Sequence, residues 1–328
     1  MKYHIGLSCG FHDAGLTVIS GDGEIRFASH SERYSKKKND ANLCPELVEE
    51  LWGHSIGTIA YYERPWLKQL RQWRSGQGIE WNKLTVRQIL KQQIGLEFAQ
   101  FPGKITTHNH HLCHAAAGFQ TSPYDRATVV VIDAIGEFDT ISIWGAKYDS
   151  KGQATYKRLW GQTYPHSIGL FYSAITQRVG LHPLDEEYIT MGMSAWGRPV
   201  WYENMHYKLI ADDANIEFRD NLHLGLDANS WAQAKNEDLA ASAQLLTETL
   251  IGEVMARARG FGWSTNLVYM GGCAMNSLAN QDLVHNWDKI WSLPNPGDPS
   301  SAIGSVLYHK KYRVNWQFGE AKHIAINV

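Results

Sequence analysis

The run His108-Asn109-His110-His111-Leu112-Cys113-His114-Ala115-Ala116-Ala117-Gly118-Phe119 is where this chain's residue types most directly invite chemistry. Its pattern predicts the start of a helix, and the small residues after the histidines leave room for another element to pack closely. On a helix, residues four apart share a face, so His110 and His114 point the same way about one turn apart. Two imidazoles so placed can hold one divalent metal ion, with carboxylates from elsewhere closing the site. A polar helix end, its histidines capping carbonyls or packed in the core, fits the same residues, because a lone His-x-x-x-His pair is a weak motif.

The elements around this stretch are legible. Strand patterns cover residues 3–9, 16–20 and 24–29, joined by the glycine-rich loop Gly10-Phe11-His12-Asp13-Ala14-Gly15 and the turn Gly21-Asp22-Gly23. Glycines in such a loop free backbone N–H groups to approach an anion or phosphate, although an ordinary tight hairpin reads the same way. The basic run from Glu32 to Asp40, on a loop, is a solvated surface or a contact for an anionic substrate. A helix is expected at 45–52 and strands at 58–62 and 104–107. Residues 66–101, rich in Trp, Gln and Lys, read as helical insertions with no assignable chemistry.

The opening theme then returns. A β-branched strand over 127–132 ends in Asp133-Ala134-Ile135-Gly136-Glu137-Phe138-Asp139, and strands over 140–148 and 154–160 follow. A repeated strand–loop–strand–turn–strand unit implies internal duplication, two lobes with a cleft between them. The boundary falls near Ser122-Pro123-Tyr124-Asp125, giving lobes 1–124 and 125–328. Further on, a helix beginning in 165–176 carries Ser167 and Gly169 at an amino end suited to an anion. A loop–helix segment covers 184–197, and 238–260 reads as one long core helix. Strand 266–270 runs into Gly271-Gly272-Cys273-Ala274-Met275-Asn276, a strand–Gly-Gly–helix step that can seat a nucleotide or phosphate. After a strand at 290–293, Asp298 precedes a closing helix at 302–312, where ligand-binding groups collect in open α/β sheets.

Composition narrows the class. With 31 Lys and Arg against 33 Asp and Glu, no bulk field favours nucleic acid or a membrane surface. Cys9, Cys44, Cys113 and Cys273 are scattered without C-x-x-C spacing, which indicates reduced thiols and a cytoplasmic location. Residues 1–6 lead straight into a strand pattern, which reads as a chain without a signal peptide. No apolar run is long enough to span a bilayer.

Taken together and in order, the motifs resemble those of the nodulation-type (NodU/CmcH-type) O-carbamoyltransferases. The matching stretches are Gly10 to Ala14, Glu32 to Ser35, His110 to Ala116, Asp133 to Glu137, Pro165 to Ser173, Met191-Gly192 with Gly197, Gly271-Gly272 with Asn276-Ser277, and Gly297-Asp298. The resemblance implies the α/β, duplicated actin/Hsp70/sugar-kinase-like (ASKHA) fold. It assigns His110, His114, Asp133 and Asp298 as ligands of one metal, Fe(II) first, with Mn(II) and Zn(II) also compatible with that donor set. Asp139 reads as structural. The implied reaction passes a carbamoyl group from carbamoyl-adenylate to a hydroxyl of a small molecule. His12 would take the hydroxyl proton, Asp13 would orient it or meet the nucleotide, and Gly136, Gly169, Gly271, Gly272 and Asn276 would hold the adenylate. Lys36 and Lys38 stand where relatives carry basic substrate-binding residues, and an anionic acceptor is compatible with them. Ala134 replaces a usual glycine and Ile189 a usual lysine, which leaves the donor contacts less defined. Full-length relatives carry a second, YrdC/Sua5-like domain that makes the adenylate. It has no counterpart in these 328 residues, so either a separate protein is expected to supply the adenylate or the donor differs. Two other readings stay open: a tRNA threonylcarbamoyl transferase-like enzyme, which near-neutral charge disfavours, and a non-catalytic nucleotide-binding partner subunit. A sugar kinase has no use for the histidine helix.

Overall fold

The computed structural model describes residues 2–95, 101, 103–227 and 229–314. The opening unit forms as its alternation predicts. Strands β1 (Tyr3–Ser8), β2 (Gly15–Ser20) and β3 (Ile25–His30) pair antiparallel in succession. Gly23 turns the chain between β2 and β3 at φ +99°, a conformation that side-chain-bearing residues resist. Strands β4 (Ile56–Tyr61) and β5 (Lys104–Thr107) add in parallel beyond β1, completing a five-stranded sheet of order β3-β2-β1-β4-β5.

The second half repeats this plan. Strands β6 (Arg126–Gly136), β7 (Asp139–Tyr148) and β8 (Ala154–Thr163) pair antiparallel. After a short hairpin formed by β9 (Ile210–Asp212) and β10 (Glu217–Phe218), β11 (Asn266–Met270) and β12 (Lys289–Trp291) extend the sheet in parallel on the other side of β6. The order β8-β7-β6-β11-β12 is that of the first sheet, position for position. The chain therefore has the duplicated α/β architecture of the ASKHA fold.

Local structure departs from the sequence reading in places that bear on the site. β6 does not stop at Ile132 but runs to Gly136, with a register shift between Ile132 and Gly136 that puts Asp133 on an irregular strand end. Such irregularities re-aim a side chain out of the ladder. Part of the basic run, Glu32–Ser35, forms one helical turn, closed by Lys36 at φ +56°. The 66–101 stretch holds helices Pro65–Arg74 and Val86–Ile94, the latter started by a Thr85/Gln88 capping box. Residues 96–100 of that stretch lie outside the described residues.

Two helices join the halves. The histidine helix, His110–Thr121, follows β5 yet packs on the second sheet, where Phe119, Ala115 and Ala117 share a core with Val129, Val131, Val268 and Met270. The closing helix, Ser301–Lys310, follows β12 yet packs on the first sheet through Ile303, Val306 and Leu307 against Ile19 and Ala60. Each repeat thus lends its last helix to the other's sheet, and the two helices lie against one another. A Cβ at Gly304 would overlap the Cys113 carbonyl, and one at Gly6 would overlap the Ala302 carbonyl. The larger core lies on the far face of the second sheet, where Leu239, Leu246, Leu250, Ile251 and Val254 of the long helix Asn236–Gly260 join Val130, Ile132, Ile141 and Ile143. Among the described residues no helix is long and apolar enough to cross a membrane.

The closeness of the central helices gives a test with two signs. Gly304→Ala drives a methyl into backbone and should cost roughly 1–3 kcal/mol. Gly252→Ala, in the exposed interior of the long helix with no atom within 4 Å of the new methyl, should instead stabilise by about 0.5–1 kcal/mol. Denaturant unfolding of both variants checks the pair.

Candidate functional site

The histidine helix begins at Asn109, whose side chain accepts the Leu112 N–H at 2.9 Å and fixes where the first turn starts. That start places His110 and His114 on the inward side, 1% and 0% exposed. Their Nε2 atoms lie 3.1 Å apart. Asp133, on the irregular end of β6, brings Oδ2 to 3.3 Å from both. Asp298, in the turn before the closing helix, brings Oδ1 to 3.3 Å from His110 and 3.1 Å from His114. Four buried donor atoms from three elements therefore converge, all within 4.8 Å of one another.

The chemistry of this donor set suits a cation. Two protonated ring nitrogens cannot face each other at 3.1 Å without repulsion, whereas two lone pairs can share one ion. Donors bound at about 2.0–2.1 Å in tetrahedral or octahedral geometry lie roughly 2.9–3.4 Å apart, which is the spacing of the histidine–histidine and histidine–carboxylate pairs here. Without an ion, the charges can balance only by protonating the imidazoles. Burial opposes charge on His110 and His114, but Asp298 and Asp133 override it and hold both pKa values above the ordinary histidine value. Burial likewise works against ionised Asp133 and Asp298, and the histidines hold both carboxyls below the usual range. His110 Nδ1 faces Glu63 Oε2 at 3.9 Å, and the buried Nδ1 of His114 has no hydrogen-bond partner among the described residues.

Glycines let the helix reach this position. A Cβ on Gly136 would overlap the His110 ring and come within 2.7 Å of the His111 ring. Gly169 approaches Ala134 so closely that a Cβ would lie 2.8 Å from its Cα. Ser167, the N-cap of helix Ile168–Arg178, donates to the Ala134 carbonyl at 2.7 Å and steadies the Asp133 segment. Gly271 sits at φ +93°, where a Cβ would overlap the Ile132 carbonyl, and the Gly272 N–H points at Asp133 Oδ1 at 3.4 Å. Asn276 caps the helix Ser277–Asn280 and exchanges two amide hydrogen bonds with Gln244. The expected adenylate contacts thus split. Gly136 and Gly169 act on the packing of Asp133 and the histidines, while Gly271, Gly272 and Asn276 form one turn beside the cluster.

His12 lies at the edge of the cluster. Its Nδ1 is 2.9 Å from Asp298 Oδ2 and 3.3 Å from Asp13 Oδ2, and 38% of its side chain reaches solvent. Burial of the ring disfavours its charge, but Asp298 and Asp13 prevail and push its pKa up to about 9. Asp13 adopts φ +49° in the same loop. Lys36 and Lys38 are not brought to the four donors. Lys36 Nζ donates to the Arg33 carbonyl at 2.7 Å, and Lys38 pairs with Asp185 at 3.0 Å, its ammonium 4.4 Å from the centre of the Tyr188 ring. Asp139 is held by Arg158 through two bonds of 2.7 and 3.0 Å, a structural pairing. His111, buried and pushed down to about 3, is a neutral ring against Ser142 at 2.8 Å.

Sequence reasoning missed several groups. Arg64 clamps Glu137 through its side chain and its backbone N–H, joining the first sheet's β4 exit to the β6–β7 turn. Glu63 and Lys68 form a buried pair at 3.3 Å next to His110. Their motif carried no distinctive spacing, and only the packing of helix Pro65–Arg74 reveals them.

Residues 77–307 match the family described as Carbamoyltransferase N-terminus, and this chain belongs to it. An uncharacterized protein of Synechocystis sp. is 28% identical over 94% of this chain and 57% of its own length. Nodulation protein NolNO of Sinorhizobium fredii is 26% identical over 90% of this chain and 46% of its own. The chain thus spans about half the length of these relatives. A solved structure of full-length HypF, in a phosphate- and nucleotide-bound form, superposes on 94% of this chain and 55% of its own, with TM-score 0.56 at 12% identity, a likeness of fold alone.

In metal-free protein, the His12 ring should titrate near about 9 instead of 6.5, and Asp298→Asn should lower that value. Because the folded pKa is raised, the stability this contact adds is full below about 6.5 and fades as pH rises through about 9. Histidine ring signals followed by NMR across this range give the answer.

Proposed function

We propose that this chain is the transfer domain of a metal-dependent carbamoyltransferase, passing a carbamoyl group from carbamoyl-adenylate to a hydroxyl of a small molecule. The observation that carries this reading is the convergence of His110, His114, Asp133 and Asp298, two potential imidazole and two carboxylate ligands, in a member of a carbamoyltransferase family. Fe(II) is the favoured ion, and Mn(II) and Zn(II) suit the same donors. When bound, the ion would supply Lewis-acid polarisation of the carbamoyl carbonyl.

The protein's own groups divide the remaining work. His12 Nδ1 hydrogen-bonds Asp13 Oδ2 at 3.3 Å and lies 2.9 Å from Asp298 Oδ2, which fixes the ring and leaves Nε2 as the nitrogen able to take the acceptor's proton. Of the clustered side chains it is the most exposed, so an arriving hydroxyl meets it first. Only the neutral ring can accept a proton, so transfer should speed up as pH rises through the His12 pKa. The turn Gly271–Asn276 offers the seat for the adenylate. The nucleotide-bound HypF structure supports a nucleotide reading for this fold. A YrdC/Sua5-like activity would make the donor, and the scattered free cysteines support a cytoplasmic location.

Elemental analysis tests the centre. Wild-type protein loaded anaerobically with Fe(II), Mn(II) or Zn(II) and desalted should retain about one ion per chain, as one tetrahedral donor set requires. His110→Ala and His114→Ala should each fall to background, and loaded wild type should carbamoylate a member of a hydroxyl-acceptor panel given carbamoyl-adenylate. Unchanged metal content in either histidine variant would sink the proposal.

A further inference from the structure

The helix Pro65–Arg74 is built inside out. A surface helix ordinarily buries its apolar stripe. Here Trp66, Leu70 and Trp73 are 55%, 41% and 60% exposed, while Lys68, Gln69 and Arg71 are 6%, 1% and 6% exposed. The polar face turns inward, onto the His12 loop and the cluster. Lys68 Nζ sits 4.0 Å from the centre of the Phe11 ring, beside His12, and pairs with Glu63, which faces His110. Arg71, one turn further along the same face, reaches the opposite wall, its guanidinium carbon 5.9 Å from the centre of the Tyr164 ring. Tyr164 in turn packs edge-on against His223. The helix therefore lines the interlobe cleft between the first sheet and the segment after β8.

Arg71 is not satisfied there. Among the described residues its buried Nε and Nη1 have no hydrogen-bond partner and no carboxylate lies within 4.0 Å of it; Glu63, the carboxylate that acts on it, is already taken by Lys68. Tyr62 Oη, Gln69 Nε2 and Gln72 Oε1 on the same stretch are also buried without partners. A buried unpaired guanidinium is among the costliest groups a fold can hold. Its planar fork matches the oxygens of carboxylates and phosphates.

We propose that Arg71 anchors an anion subsite in this cleft, taking a carboxylate or phosphate group of a ligand that reacts at the neighbouring cluster. Lys68 lies one turn back on the same face and adds positive potential, while Gln69 Nε2, buried without a partner, supplies a further donor. The placement of the reacting centre rests on the transferase reading; the capture of an anion does not. The group has two possible sources, the phosphate of an adenylate donor or an anionic substituent of the acceptor, and both present the same oxygens to the fork.

Thermal unfolding of the whole chain in increasing inorganic phosphate tests the subsite. Wild type should gain a saturable rise in Tm. Arg71→Met, of similar length without charge, should bind phosphate at least tenfold more weakly and, in phosphate-free buffer, melt no lower than wild type, because it removes an unpaired buried charge. An equal phosphate response in Arg71→Met overturns the proposal. Should that variant fail to fold, the arginine Nε–H signals of wild type decide: one shifts on adding phosphate, and Arg71→Lys removes that signal; no shifted signal overturns the proposal. Repeating the titration with AMP present separates the sources. Competition assigns the subsite to the donor phosphate, and independent binding assigns it to the acceptor. The metal content of Arg71→Met should equal that of wild type, so failure here is distinct from failure of the metal centre.

Discussion

The crossing of the histidine helix and the closing helix is the contact on which the site depends. Each belongs to one repeat and packs on the sheet of the other, so the repeats are interlocked. At the crossing Gly304 presents no side chain to the Cys113 carbonyl, and the backbones approach closely. That approach sets Asp298, three residues before the closing helix, beside His114, one residue after Cys113. A bulkier residue at the crossing would separate the two halves of the donor set before it disturbed either half alone.

The electrostatics of the centre follow from this forced proximity. Two carboxylates and two imidazoles share a pocket that solvent barely reaches, and their grouping could hold a metal ion. The charge pairing extends outward. Asp298 divides its two oxygens between the histidine pair and His12, so one carboxylate links the inner group to the exposed ring. Glu63 plays a similar part on the other side, between His110 and Lys68. The result is a chain of alternating charges running from the buried centre to the cleft wall, and Arg71 stands near its end with no carboxylate in direct contact among the described residues.

The inverted helix gives that wall its character. Helix formation over Pro65–Arg74 needs no unusual residues, since proline suits a first turn and the interior is made of good helix formers. What is unusual is which face the fold turns inward. Its buried side carries cations and amides in place of aliphatic groups, and its outer side carries tryptophans. This inversion costs core energy, and a polar ligand is the kind of occupant that offsets it.

Much of this was legible in the residues. Alternation and turn chemistry located the strands of both repeats, and the matching order of the two sheets reflects a duplication visible as repeated motifs. Helical spacing put His110 and His114 on one face, and the position after a strand singled out Asp298. Those signals are local, set by backbone periodicity and turn preference over a few residues. The length of β6 was not local in this sense: pairing with β7 through Asp139 carries it past Asp133, which the sequence read as loop. Nor was the role of Gly136 and Gly169, which depends on a helix arriving from elsewhere to fill the space a side chain would take. Lys38 read as a substrate contact, yet Asp185, distant in sequence, sits beside it. The buried polar face of Pro65–Arg74 had no signature at all, because an amphipathic helix shows two faces and only the packing of the whole chain chooses which one meets water.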